Sequence, residues 1–107
     1  MSRTKNLYVI RLDEAVLEDS RFRKENPRYR PGKPCVYVGV TSLTPEERLA
    51  QHKRGEMAGK GYVTKYGRHL MRRQYEHRNP VAEAQAEDKE RELAESLRRK
   101  GLAVWQR

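Results

Sequence analysis

The sequence predicts an α+β domain with a small, three-stranded, mainly antiparallel sheet flanked by helices, in the order β-β-α-β-α. Three features predict this class: two short runs of alternating apolar residues, a proline-started helix after the second run, and a long amphipathic helix near the end. The 107 residues suffice for one domain, 1–107, and an apolar fraction of 36% limits its core.

The first two strands are predicted at residues 6–12 and 35–40. In the first strand Leu7 and Val9 share one face, and Tyr8 and Ile10 share the other. Between the strands lies a long polar insertion, residues 13–34, whose start favours a helical turn or two and whose three prolines exclude regular structure near its end. Its basic run is interpreted either as an added nucleic-acid contact or as a lid.

A helix is predicted over residues 45–54, directly after the second strand. Thr44 is a suitable N-cap, Pro45 occupies the first helical position, and Glu47 can complete a capping box. Gly39 permits a turn or a close approach of another chain, and Gly55 ends the helix.

The second half of the chain contains three further predicted elements and a tail. A short helix over 62–66 ends at Gly67, and a third strand is predicted over 68–75. Asn79 and Pro80 have the pattern of an N-cap and first turn, which predicts a long helix to about residue 100. Residues 102–105 form a terminal strand or a packed tail.

One carboxylate of the long helix is out of place. Glu90 falls on its apolar stripe, four residues after Ala86 and three before Leu93, whereas Glu92 and Glu95 lie off it. A carboxylate aimed at a core costs several kcal/mol unless it is paired or binds a metal. Glu90 is therefore either a functional acid, or the partner of an arginine, or the exposed edge of the stripe.

The net charge of +9 is unevenly distributed. From Arg48 to Arg78 there are nine basic residues and two acidic ones, whereas the charges of residues 81–107 balance. This concentration favours nucleic acid as a partner over mere solubility. The single cysteine, Cys35, excludes an internal disulfide, and no run of residues is apolar enough for a membrane span, so a cytoplasmic protein is expected.

Several short motifs together resemble the GIY-YIG nuclease domain, and the resemblance extends over nearly the whole chain. They are Leu7-Tyr8-Val9, Tyr37-Val38-Gly39, Thr41, Arg48 with His52 four residues later, and Glu90 followed by Leu93, Ala94 and Leu97. The chain departs from the family pattern in its long insertion and in having no asparagine after Glu90. The resemblance implies a three-stranded antiparallel sheet. It also implies a metal-dependent endonuclease that hydrolyses phosphodiester bonds.

The resemblance implies five site residues. Tyr8 and Tyr37 match the two motif tyrosines, Arg48 and His52 match the helix pair, and Glu90 matches the metal ligand. One divalent ion, Mg²⁺ or Mn²⁺, is expected on Glu90, because Mg²⁺ keeps most of its waters and accepts a single carboxylate. Tyr8 is expected to be the base by resemblance, although a phenol needs a nearby cation to lower its pKa and His52 is better matched by its ordinary pKa.

Each of these residues also has a structural alternative. The tyrosines could be core aromatics, Arg48 could pair with Glu47 or Glu90, and His52 could cap its helix. His69 and His77 have no metal-ligand spacing. The function is likewise open between a DNA endonuclease, a non-catalytic nucleic-acid-binding module, and a nuclease targeted by a partner protein. The residues expected to hold the phosphate backbone are Lys53, Arg54, Lys60, Lys65 and Arg68.

Overall fold

The computed structural model describes residues 3–55 and 61–106. Its central element is a mixed five-stranded sheet. The strands are β1 (Thr4–Leu12), β2 (Cys35–Thr41), β3 (Gly67–Leu70), β4 (Val81–Ala82) and β5 (Ala103–Gln106). Their order is β3-β1-β2-β5, with β4 beside the start of β1; all pairs are antiparallel except β2–β5. The α+β class is confirmed, but the predicted number of three strands was too low. Strands of two or four residues are too short to show a clear alternation of apolar and polar residues in the sequence.

Within the described residues, four α-helices flank this sheet: α1 (Ser20–Lys24), α2 (Pro45–Lys53), α3 (Tyr62–Tyr66) and α4 (Ala86–Arg99). The described residues also form short 3₁₀ turns at Glu14–Glu18, Arg72–Gln74, Glu76–Arg78 and Glu83–Gln85. None of the helices in the described ranges is long and apolar enough to cross a bilayer.

Local sequence signals set the start and end of α2 as predicted. The Thr44 hydroxyl accepts from the backbone N–H of Glu47, and the Glu47 carboxylate accepts from the backbone N–H of Thr44. This capping box satisfies two backbone donors that the first helical turn leaves without partners. Gly55 follows the helix with φ of 88°, a left-handed conformation that favours glycine.

Two predictions for the second half were wrong. The third strand ends at Leu70 instead of residue 75, because the chain turns into 3₁₀ structure at Arg72. Asn79 is not a helix cap: its side-chain amide accepts from the Leu7 N–H at 2.7 Å and donates to the Leu7 carbonyl at 2.8 Å. Asn79 thus pairs with β1 as a neighbouring strand would, and α4 begins only at Ala86.

Candidate active site

Tyr8 lies across Gly39 of the neighbouring strand. The two residues are direct partners in the β1–β2 ladder, so their side chains lie on one face of the sheet. A Cβ atom on residue 39 would sit 2.5 Å from both Cζ and the hydroxyl oxygen of Tyr8. The glycine of the Tyr-Val-Gly motif is therefore needed for the tyrosine of β1 to adopt this position.

Tyr8, Tyr37 and His52 form one buried group, here called the tyrosine–histidine cluster. The Tyr8 hydroxyl and His52 Nε2 are 3.0 Å apart. The rings of Tyr8 and Tyr37 are 6.1 Å apart, and those of Tyr37 and His52 are 5.4 Å apart. All three side chains are at most 1% exposed. The sheet supplies both tyrosines and α2 supplies the histidine, so rigid elements hold the cluster.

The cluster contains buried polar atoms without partners. The Tyr37 hydroxyl and His52 Nδ1 form no hydrogen bond with any part of the chain that the structure describes. Native proteins pair most such atoms, since an unpaired buried polar group costs about 1–3 kcal/mol. The Tyr75 hydroxyl is also buried without a described partner, so what distinguishes the cluster is that two such atoms belong to neighbouring rings.

Arg48 lies one helical turn before His52 and is partly buried. Its Nη1 donates to Gln51 Oε1 at 2.7 Å, which orients the guanidinium. The guanidinium lies near enough to the Tyr8 hydroxyl to lower its pKa, and its charge acts on Tyr37 and His52. The sequence analysis missed Gln51, although its spacing of three residues from Arg48 was a usable signal.

The structure changes the expected proton chemistry of the cluster. Burial raises the pKa of Tyr8, and this outweighs the nearby Arg48 guanidinium, which lowers it. Burial also raises the pKa of Tyr37, as do the neighbouring Tyr8 and the charge of Glu90. Burial lowers the pKa of His52 to about 4, and Arg48 adds to that shift. At pH 7 both phenols are therefore protonated and the imidazole is neutral, so Arg48 alone does not ionise Tyr8, and His52 is a weaker base than its ordinary pKa suggests.

Glu90 is buried on α4, as its place on the apolar stripe predicts. It is 7% exposed, whereas its neighbours Glu87 and Glu92 are exposed. It lines a cleft of about 800 Å³ together with Lys5, Val40 and Gln106. Its charge raises the pKa of both Tyr8 and Tyr37, so the carboxylate lies within electrostatic range of the cluster. No local sequence signal indicated that Gln106 would line this cleft.

The donor set fits a metal ion only if the protein supplies few ligands. Within residues 3–55 and 61–106, no group of three or more histidine, cysteine or acidic side chains is arranged to hold a metal. Glu90 is a buried carboxylate that faces an open cleft. Such a site suits Mg²⁺, which binds through one or two carboxylates and keeps several waters.

The predicted phosphate-binding residues follow the site along α2, α3 and β3. Lys53 Nζ donates to the Arg68 carbonyl at 2.8 Å, and Arg68 pairs with Asp13. The Lys65 ammonium lies 5.2 Å from the centre of the Tyr66 ring. These residues and Arg54 are exposed, whereas Lys60 lies outside the described residues. We call Lys53, Arg54, Lys65 and Arg68 the basic surface; it adjoins His52 through Lys53.

The remaining candidates have ordinary surroundings. His69 and His77 are exposed, and Cys35 is a buried free thiol inside β2. The side chain of His52 contacts Tyr8 and is not a helix cap.

No protein-family model, curated protein or solved structure matches the chain. The assignment of a function therefore rests on the geometry of these side chains and on the motif resemblance.

Proposed function

We propose that this protein is a metal-dependent endonuclease of the GIY-YIG type that hydrolyses phosphodiester bonds in DNA. The observation that carries the proposal is the convergence of Tyr8, Tyr37, Arg48 and His52 within electrostatic range of a buried glutamate that faces a cleft. These residues come from four separate elements, β1, β2, α2 and α4. Simple core packing would not require a buried arginine contact, a buried acid and two unpaired polar atoms in one place.

Arg48 is the proposed stabiliser of negative charge. The pentacoordinate phosphorus gathers charge on its equatorial oxygens, and a guanidinium held by Gln51 can donate to them without reorganisation. The nearby Arg48 charge also lowers the pKa of Tyr8, which favours the phenolate over the phenol.

Tyr8 and His52 are the proposed route for the proton. Tyr8 removes a proton from the attacking water, and its own hydroxyl proton moves to Nε2 of His52, 3.0 Å away. The low pKa of His52 opposes this transfer in the free protein. A bound phosphate adds negative charge near the ring, which raises the pKa of the imidazole and favours the transfer.

Glu90 is the proposed ligand for one Mg²⁺ or Mn²⁺ ion. Such an ion would neutralise a phosphate oxygen and the leaving oxygen. The carboxylate of Glu90 would hold the ion at the cleft, and the ion would supply positive charge beside the scissile phosphate. Tyr37 positions water or phosphate beside it.

The basic surface is the proposed contact for the DNA backbone. Its cations set affinity and salt dependence without reading sequence. Because these contacts do not depend on the base sequence, we propose a structure-specific substrate, as in repair or recombination. We further propose a cytoplasmic location and a partner protein for targeting.

The test is cleavage of labelled single strands, duplexes, flaps and four-way junctions with Mg²⁺, Mn²⁺ or EDTA. Arg48→Ala and Glu90→Gln should each reduce cleavage by about 100-fold or more, since each removes a charge acting on the transition state. Arg21→Ala and Glu92→Gln, at exposed positions, are the matched controls. Tight, salt-sensitive binding with no metal-dependent cutting by the wild type would instead support a non-catalytic binding module.

A further inference from the structure

The chain makes a detour at the edge of β1 that also binds β3. It leaves the strand at Met71, whose N–H donates to the Val9 carbonyl at 2.8 Å. It returns at Asn79, whose side-chain amide pairs with the backbone of Leu7. The two attachment points are two strand residues apart, which is about 7 Å. The detour therefore begins and ends on either side of Tyr8, the tyrosine that β1 supplies to the cluster.

The residues of this detour, 72–78, are here called the arginine excursion, and they lie near the start of α2. Burial raises the pKa of Tyr75 to about 12, and the charge of Glu46 in the first turn of α2 adds to that shift. Tyr75 thus lies within electrostatic range of α2. The same helix supplies His52 to the tyrosine–histidine cluster, so the excursion adjoins the candidate site through both β1 and α2.

The arginine excursion is basic. Arg72, Arg73 and Arg78 belong to the basic stretch of the sequence, but not to the cluster or to the basic surface. Arg72 and Arg73 are exposed, and none of the three arginines forms an ion pair in the part of the chain that the structure describes. With Glu76 as the only acid among residues 72–78, the net charge is +2, and it stays positive when the nearby Glu46 is counted. The excursion is therefore complementary to a polyanion.

Arg78 has a further feature that favours an anion. Its Nε is buried and forms no hydrogen bond with any described residue, whereas the side chain as a whole is partly exposed. Moving a charged group out of water is unfavourable when no partner replaces the lost water. A phosphate oxygen at the exposed part of the guanidinium supplies the opposite charge that the chain itself does not.

The arginine excursion continues the basic surface along β1. Arg68 is next to the β3 residue that pairs with Leu12, and Arg78 is next to the residue that bonds to Leu7. An offset of five strand residues separates Leu12 from Leu7, which is about 17 Å. A nucleic-acid strand carries about five phosphates over that length. Tyr8 lies within this stretch, so cations flank it on both sides along the strand.

We propose that the arginine excursion binds the nucleic-acid backbone, with Arg72, Arg73 and Arg78 as its phosphate contacts. Together with the basic surface it holds one strand on both sides of Tyr8, and the guanidinium forks match phosphate oxygens. The proposal rests on the proposed function, because it places the backbone of the same substrate. A strand held on both sides of the site is cut at an internal linkage, so the substrate must continue for a few nucleotides to either side of the cut.

The first test measures binding of a fluorescent duplex in EDTA across a range of salt concentrations. Arg72→Glu/Arg73→Glu should weaken binding about ten-fold at low salt and reduce the slope of log K against log salt by about two. Arg28→Glu/Arg99→Glu is the matched control. Both of these arginines are exposed and without a described ion pair, but they lie near β5, at the opposite edge of the sheet.

Arg78→Met tests the partly buried arginine separately. It removes the charge and the unpaired nitrogen but keeps an unbranched side chain of similar length. The variant should reduce the salt slope by about one, and its midpoint of urea unfolding should stay the same or rise. A variant that unfolds more easily and binds DNA like the wild type would make Arg78 a structural residue and remove it from the site.

The outcomes separate this proposal from the proposed function. If the control weakens binding as much as Arg72→Glu/Arg73→Glu, or if that variant binds like the wild type, the excursion site is wrong even when the protein cuts DNA. If the wild type binds DNA with the predicted difference between variants but never cuts, the excursion site stands and the nuclease proposal fails. Removal of terminal nucleotides instead of internal cutting would contradict a strand held on both sides of Tyr8. A wild type that binds no nucleic acid overturns both proposals.

Discussion

The apolar stripe of α4 and the tyrosine–histidine cluster are equally buried, but they differ in the polar atoms that they contain. Leu93 and Leu97 are 1% exposed, like Tyr8, and they carry no polar atom. The cluster instead contains a hydroxyl and a ring nitrogen that have no partner in the described ranges, next to a guanidinium that disfavours protonation of the imidazole. The comparison indicates that α4 stabilises the fold, whereas the cluster places unpaired polar atoms in the core at a cost in stability, which the proposed catalytic role would explain.

Truncation of the α4 stripe should give the largest loss of stability. Leu93→Ala should lower the free energy of unfolding by about 2–5 kcal/mol, because it leaves a cavity in a packed core. Glu92→Ala, one residue away and exposed, should change it by less than about 0.5 kcal/mol. Chemical denaturation measures both, and a loss below about 1 kcal/mol for Leu93→Ala would contradict the role given to α4.

Acid should weaken the cluster through His52. Its pKa in the folded protein, about 4, is below the ordinary 6.5, so the unfolded chain binds the proton more readily. Stability is therefore fully present above pH 6.5 and is lost as the pH falls towards 4, by about 3 kcal/mol in total.

Denaturation curves between pH 4 and pH 7 check this contribution. His52→Gln should reduce the pH dependence in that window, whereas His69→Gln, at an exposed position, should leave it unchanged. Equal pH dependence in the wild type and His52→Gln would mean that the imidazole is not held neutral.

A methyl group between the two strands should disturb the cluster without touching α4. Gly39→Ala should cost about 1–3 kcal/mol, since its Cβ would overlap the Tyr8 ring. Combining it with Tyr8→Ala should recover part of that cost in a double-mutant cycle. If the two changes add independently, the ring does not lie over residue 39.

The elements that local signals define were predictable, and those defined by distant partners were not. The start of α2 was predictable from the neighbouring signals Thr44, Pro45 and Glu47. The burial of Glu90 was indicated by its place on the apolar stripe of α4. Asn79 has an ordinary capping pattern, yet its amide pairs with Leu7, 72 residues away.

The same limit applies to the candidate site. The motif resemblance singled out the polar and aromatic residues of the cluster. Helical spacing predicted that Arg48 and His52 share a face. It could not predict the pKa values, because burial by the whole core dominates them. Nor could it predict that Asn26 anchors the insertion to Val104, a contact between residues 78 apart.

We propose that the tyrosine–histidine cluster takes part in catalysis, and Tyr37→Phe tests this role most directly. This change removes only a buried hydroxyl without a described partner, so the free energy of unfolding should stay the same or rise by up to about 1 kcal/mol. Tyr75→Phe is the matched control, because Tyr75 is also buried and its hydroxyl also has no described partner. Denaturation and metal-dependent cleavage are measured on the same samples.

We predict that both variants are as stable as the wild type and that only Tyr37→Phe loses cleavage, by about ten-fold or more. A Tyr37→Phe protein that unfolds more easily and cuts DNA like the wild type would contradict the account and make the cluster part of the structural core.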